Sequence, residues 1–240
     1  ALALMMKSPK LTVKALYAAP FFNSHSTSPE DGMERSYDEI LHLLTLMGRE
    51  DMKAQVYKGS RTYLPDEKTA VDSPAARHLC QLAMSYTVEK PLYVVAIGAI
   101  TNVASALLMK PEIADRMVLV WLGGHYTSWP DNREFNLFQD VAGARVAFGC
   151  GCPLVQLPCM GVVSSFYTTK PELEYWLSGK NPLCDYLARH TIEEAESYAA
   201  GRVWSRVIWD VTAVAWLLND GDRFMISELI PAPIPEYDGA

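Results

Sequence analysis

The chain has 240 residues, half of them hydrophobic, a length and composition that support one large domain or two small ones with a sizeable buried core. Its formal net charge of -7, with no run of Lys or Arg, argues against a nucleic-acid footprint or an anionic-membrane surface and leaves small neutral or cationic partners open. No apolar stretch reaches the roughly 18 residues that span a bilayer, and five cysteines without CxxC spacing fit reduced thiols better than a disulfide framework or a zinc site.

The opening "ALALMMKSP" reads as the interior of a helix, with no initiator Met and no N-cap, which implies residues upstream of Ala1. "LTVKALYAA" (11–19) predicts a buried strand bounded by Pro20, and "ERSYDEILHLLTLMG" (34–48) an amphipathic helix stopped by Gly48. The order then repeats: a short strand at "AQVYKG", a helix from Ser73 to about Val88, and "LYVVAIG", a continuous apolar run of the parallel-sheet kind. "TNVASALLM" predicts a helix and "MVLVWLGG" a strand. "DVAGARVAFG" predicts a helix capped by Asp140, and "PLVQLP" a strand. Beyond about residue 170 the pattern is helical only, in "PELEYWLSG", "PLCDYLARHTIEEAESYAAG" and "DVTAVAWLL". Strands alternating with helices predict a single α/β domain with an open, mainly parallel sheet flanked by helices and a helical C-terminal portion.

In such sheets ligands bind beyond the carboxyl ends of the strands, which singles out Asn23, Ile97–Gly98 and the loop from Gly123 to Asn136. Within "NREFNLFQD" (132–140), an extended backbone would point Glu134 and Asn136 to one face and turn Phe135 into the core. Without further context these are loop residues solvating a strand end, and Asp210 is an ordinary helix cap.

Three motifs in order resemble the inosine-uridine nucleoside hydrolase family. "AIGAITNVASALLMKPEIADRMVLVWLGG" is similar to its Gly-x-Leu-Thr-Asn helix leading to a Met-Gly-Gly strand, "EFNLFQDVAGA" to its Ala-Glu-Phe-Asn block, and "WDVTAVAWLL" to a late helix usually opening His-Asp-Pro. The resemblance implies an open α/β fold, a bound calcium ion and hydrolysis of the N-glycosidic bond of ribonucleosides. Carried over residue by residue, Glu134, Asn136 and Asn23 face the sugar, Asn132 stands where another asparagine contacts it, Asp210 ligates calcium, and Ile97 lends it a backbone carbonyl. Glu134, Asn136 and Trp209 are the residues it implies in catalysis.

Two departures stand out. The family's Asp-x-Asp-x-Gly-x-Asp-Asp motif, carrying the general base and further metal ligands, normally precedes a helix like "ALALMM", so the chain reads as lacking its first strand and that motif. Trp209 replaces the histidine that protonates the leaving base, as in the purine-specific branch, where stacking takes over; Tyr63 and Trp129 are candidate partner aromatics. A loop position makes His125 either a catalytic group or one bonded to backbone, and Cys150 and Cys152 fit a helix end better than a metal site. The reading is a calcium-dependent ribonucleoside hydrolase with a purine preference, acting on a small nucleoside or sugar, leaning cytoplasmic, with a homo-oligomer left open. Its rivals are a non-catalytic sugar- or nucleoside-binding protein on the same fold and a hydrolase of another glycoside.

Overall fold

The structure is a computed structural model and describes residues 1–223 and 225–238. In chain order the elements are α1 (Leu2–Lys7), β1 (Leu16–Tyr17), α2 (Pro29–Leu46), β2 (Val56–Tyr57), α3 (Pro74–Met84), β3 (Leu92–Ala96), α4 (Thr101–Met109), β4 (Met117–Leu122), α5 (Phe135–Gln139), α6 (Val141–Gly149), β5 (Leu154–Leu157), β6 (Tyr167–Thr168), α7 (Lys170–Trp176), α8 (Pro182–Ala199), β7 (Arg206–Val207) and α9 (Val211–Leu217). The α/β class with parallel strands between helices is as the sequence predicts. Among the described residues no helix is long and apolar enough to cross a membrane.

Helix starts follow their caps. Ser28 accepts the Asp31 N–H at 3.1 Å with Pro29 at the first helical position, so α2 begins five residues earlier than its apolar pattern suggests. Ser73 caps α3 in the same way, and Ser85 ends it before the expected Val88.

Strands β3, β4 and β5 pair in parallel in that order, with Leu119 of β4 opposite Val94 and Leu154. Alternation along β4 divides the core. Met117, Leu119 and Trp121 face α3, α4 and α6, in one cluster with Leu79, Ile113 and Phe148, whereas Val120 and Leu122 face the other side with Ala213 of α9 and Val163. Each fully buried large side chain here contributes about 1.5–3 kcal/mol, so β4 is the backbone of both layers.

Two expectations need correction. Among the described residues the parallel strands form two sheets rather than one: β1 pairs only with β2, Leu16 opposite Val56, and only two of residues 11–19 enter a ladder. An apolar groove of about 820 Å³ lies between β1 and β3, lined by Leu16, Tyr17, Val94 and Ile97 among others, and separates the two ladders. The C-terminal portion is not purely helical either, since β6 and β7 form an antiparallel pair, Tyr167 opposite Val207. Two-residue strands carry no periodicity from which to read them.

Candidate active site

The first wall of the site grows out of β4. Past Leu122 the chain turns through Gly123 and Gly124; Gly124 has φ +74°, and a Cβ there would stand 2.7 Å from the Asn132 side-chain oxygen, so glycine is required. Ten residues on, Glu134 is the N-cap of α5. Its carboxylate accepts the backbone N–H groups of Asn136 at 3.0 Å, Leu137 at 2.9 Å and Gly124 at 2.9 Å. Asn136 Nδ2 donates to the Leu122 carbonyl at 2.9 Å.

The extended reading of this stretch is therefore overturned. Helical phase, not strand alternation, turns Asn136 and Leu137 inward and leaves Phe135 48% exposed instead of in the core. Glu134 and Asn136 still share one wall, both buried at 6% and 7% exposure, because both are tied back to the end of β4.

The second wall comes from the approach to α9. Trp209 is half-buried against the Val120–Leu122 cluster, beside Cys159. The Arg206 guanidinium lies over the Trp209 ring at 5.4 Å and over the Tyr198 ring at 5.9 Å, and it donates to the Tyr198 hydroxyl at 3.1 Å.

Asp210 follows Trp209. Its surface is exposed, yet loss of solvent raises its carboxyl above the ordinary range, with Glu134 pushing the same way and Arg206 pulling it down. Exposure to an open cleft, flanked by protein rather than by bulk water, reconciles the two. Partial burial raises the half-buried Cys159 thiol, and Glu134 raises it further.

Glu134, Asn136, Trp209 and Asp210 thus come together from elements more than seventy residues apart. Cys159 and Arg206 join them, and neither was singled out in the sequence. Cys159 sits two residues past β5, so the rule about strand carboxyl ends covers it, whereas the place of Arg206 depends on a two-residue strand.

The remaining candidates sit around this cluster. Asn132 accepts the His125 backbone N–H at 2.7 Å, bracing the β4–α5 loop. His125 Nδ1 accepts the Met160 N–H at 3.2 Å, so this histidine is bonded to backbone. Asn23 is exposed; its side-chain oxygen accepts the His25 N–H at 2.8 Å, and the adjacent Phe22 N–H is held at 2.7 Å by Gln139 at the end of α5. Tyr63 donates to the same Gln139 oxygen, and Trp129 tilts against His125 at 5.9 Å. Ile97 follows β3 and borders the groove. Asp140 caps α6 as expected, accepting Gly143 N–H at 2.8 Å, Leu64 N–H at 3.2 Å and the Thr101 hydroxyl at 2.5 Å.

Residues 11–234 match the model of the inosine-uridine preferring nucleoside hydrolases. This chain belongs to that family. As a member it is an N-glycosidic bond hydrolase. It is 25% identical over 250 residues to the pyrimidine-specific ribonucleoside hydrolase RihA of Escherichia coli O81 (strain ED1a), covering 91% of this chain and 75% of that protein. The RihA of Enterobacter sp. (strain 638) is similar at the same identity over 245 residues, covering 91% and 74%. Among solved structures, the purine-preferring ribonucleoside hydrolase from Gardnerella vaginalis superposes with a TM-score of 0.73 at 21% identity over 91% of this chain and 75% of that one. The Bacillus anthracis inosine-uridine preferring nucleoside hydrolase does so at 0.59 and 16%, over 92% and 77%. At these identities the two structures speak to the fold.

The nucleoside hydrolases are metal enzymes, typically with calcium, a cation that takes six to eight oxygen ligands. Among the described residues no group of three or more His, Cys, Asp or Glu side chains could hold a metal ion. Asp210 brings one carboxylate, and both Glu134 oxygens already serve three N–H donors. These residues alone do not fit calcium.

Proposed function

We propose that the cleft between the Glu134–Asn136 wall and Trp209–Asp210 binds the ribose of a ribonucleoside and cleaves its N-glycosidic bond in a calcium-dependent reaction, with a preference for purines. The buried pair Glu134 and Asn136 carries the reading. A carboxylate offers about four lone-pair positions and a carboxamide about four hydrogen-bonding capacities. The bonds to Gly124, Asn136 and Leu137 use three of the first, and the Leu122 bond uses one of the second. What is left suits vicinal sugar hydroxyls held in fixed geometry.

Positive charge that develops at the anomeric carbon as the bond to the base breaks is favoured by the nearby Glu134 and Asp210 carboxylates, fixed before reaction. Asn23 and Asn132 frame the sugar from the loops that Gln139 and His125 hold. Trp209 offers the base a flat aromatic surface. The relatives' names point both ways, to pyrimidines for RihA and to purines for the Gardnerella enzyme, so the base preference rests on the indole.

Asp210 and the Ile97 carbonyl contribute two oxygens to the calcium site.

A non-catalytic nucleoside-binding protein is the second reading, favoured by one observation: Trp209 stands where a histidine would protonate the leaving base, and an indole cannot do so. Release of ribose from inosine and uridine, with calcium and after chelation, tests the proposal. Calcium-dependent release supports it, binding without release identifies the second reading, and absence of both overturns it.

A further inference from the structure

Far from this cleft, at the opposite end of β5, the sequence "FGCGCP" turns α6 into β5. Cys150 ends α6 with helical backbone (φ -79°, ψ -8°), and Gly151 follows in the left-handed region at φ +77°. That pair of conformations folds the chain back on itself. The Cys152 N–H points at the Cys150 sulfur at 3.4 Å, and the two thiol groups lie close enough to shift each other's titration. The Cys150 sulfur also contacts the Ala147 carbonyl at 3.2 Å, and the Cys152 thiol reaches the Met117 carbonyl at 3.4 Å.

The two differ in access. Cys150 is half-buried between exposed Gly149 and Gly151, whereas Cys152 is 7% exposed beneath it. Structural cysteines in a core are isolated and inert; Cys80, buried and bonded to the Ala106 carbonyl, is of that kind.

We propose that Cys150 and Cys152 form a redox-responsive dithiol, oxidised by a small disulfide of the glutathione type to an intramolecular disulfide that closes the Cys-Gly-Cys turn. The Cys150 thiolate attacks one sulfur of the small disulfide, forming a mixed disulfide and expelling one small thiolate, which takes up a proton. Cys152 then gives up its proton and attacks the Cys150 sulfur, expelling the second small thiol. Two protein thiols are oxidised, and one disulfide is reduced to two thiols. The hydrogen bonds from Cys152 lower the Cys150 thiol to about 7, close to the optimum for attack at neutral pH. The carbonyl end of α6 opposes this, and Asp115 faces Cys152, whose thiol is raised by its bond to Cys150 and by burial. The exposed member is thus the nucleophile and the shielded one resolves.

Equilibration of the whole chain in mixtures of oxidised and reduced glutathione, followed by alkylation and peptide mass spectrometry, tests this. The expected result is joint protection of Cys150 and Cys152, their common peptide lighter by two hydrogens, while Cys80, Cys159 and Cys184 remain alkylated. In the reduced chain at pH 7, Cys150 should alkylate about tenfold faster than Cys80. Cys152→Ser should halt the sequence at the mixed disulfide on Cys150. A stable glutathione adduct on the unmutated chain, or both thiols still alkylated at the most oxidising mixture, overturns the proposal without reference to any variant.

Discussion

Glu134 and Gly124, ten positions apart, are joined by a hydrogen bond of 2.9 Å from the Gly124 N–H to the Glu134 carboxylate, closing the loop between β4 and α5. The same carboxylate caps α5, so one side chain fixes both ends of the loop that carries Asn132 and His125. Glu134→Gln places an NH2 group among three N–H donors, and at least one is left unpaired at about 1–3 kcal/mol. Turnover of ribonucleosides should fall by about a hundredfold or more, and thermal unfolding should shift down in parallel. Unchanged unfolding together with unchanged kcat/KM would refute this double role.

How far the sequence went is clear in this same loop. Alternation placed Glu134 and Asn136 together, and they are together, but Phe135 is out and Leu137 is in. A glutamate before a five-residue helix looks the same as one in a strand until its cap bonds are known. The β4 core residues and the Asp140 cap were legible because their patterns are local and repeated. The neighbours Cys159 and Arg206 were not, because their approach to Asp210 and Trp209 depends on long-range packing that leaves no mark on spacing. The division into two sheets was hidden for the same reason, since the run at 11–19 is apolar whether or not a partner strand lies beside it.

Asp210 is proposed as a calcium ligand. Asp210→Ala should lower calcium affinity by more than about tenfold and weaken nucleoside binding with it, since a charged oxygen ligand is removed and neutral ones do not replace it. Calorimetric titration with calcium gives the answer directly. Equal affinity in the two proteins would place Asp210 outside the ion's ligands.

Asp140 gives a pH test. Burial raises its carboxyl in the folded state above the unfolded value of about 3.9. The folded chain therefore binds this proton more tightly than the unfolded one, so the contribution is fully present below the unfolded pKa and is lost as pH rises through the folded value. Asp140→Asn lacks that dependence. The unfolding temperature of Asp140→Asn minus that of the unmutated chain should rise as pH increases from about 4, and a difference that falls would contradict the direction given for Asp140.

Trp209 sets the proposed base preference. Trp209→His shrinks the stacking face, a loss of roughly 1–3 kcal/mol for a stacked base, and should narrow the ratio of kcat/KM for inosine over uridine. Arg206 lies over the same ring, so Arg206→Ala should move the ratio as well, in either direction, by uncovering the indole. A ratio untouched by both substitutions would make Trp209 a packing residue only.

The central claim is that the wall formed by Glu134 and Asn136 reads sugar hydroxyls. The measurement closest to it is kcat/KM, or the dissociation constant where there is no turnover, for inosine against 2′-deoxyinosine in the unmutated chain and in Asn136→Ala. The account predicts a preference for the ribose compound of about a hundredfold or more, because the deoxy sugar leaves buried polar groups unpaired, and predicts that Asn136→Ala erases most of it. Equal handling of the two sugars by the unmutated chain, or a full preference surviving in Asn136→Ala, would contradict it.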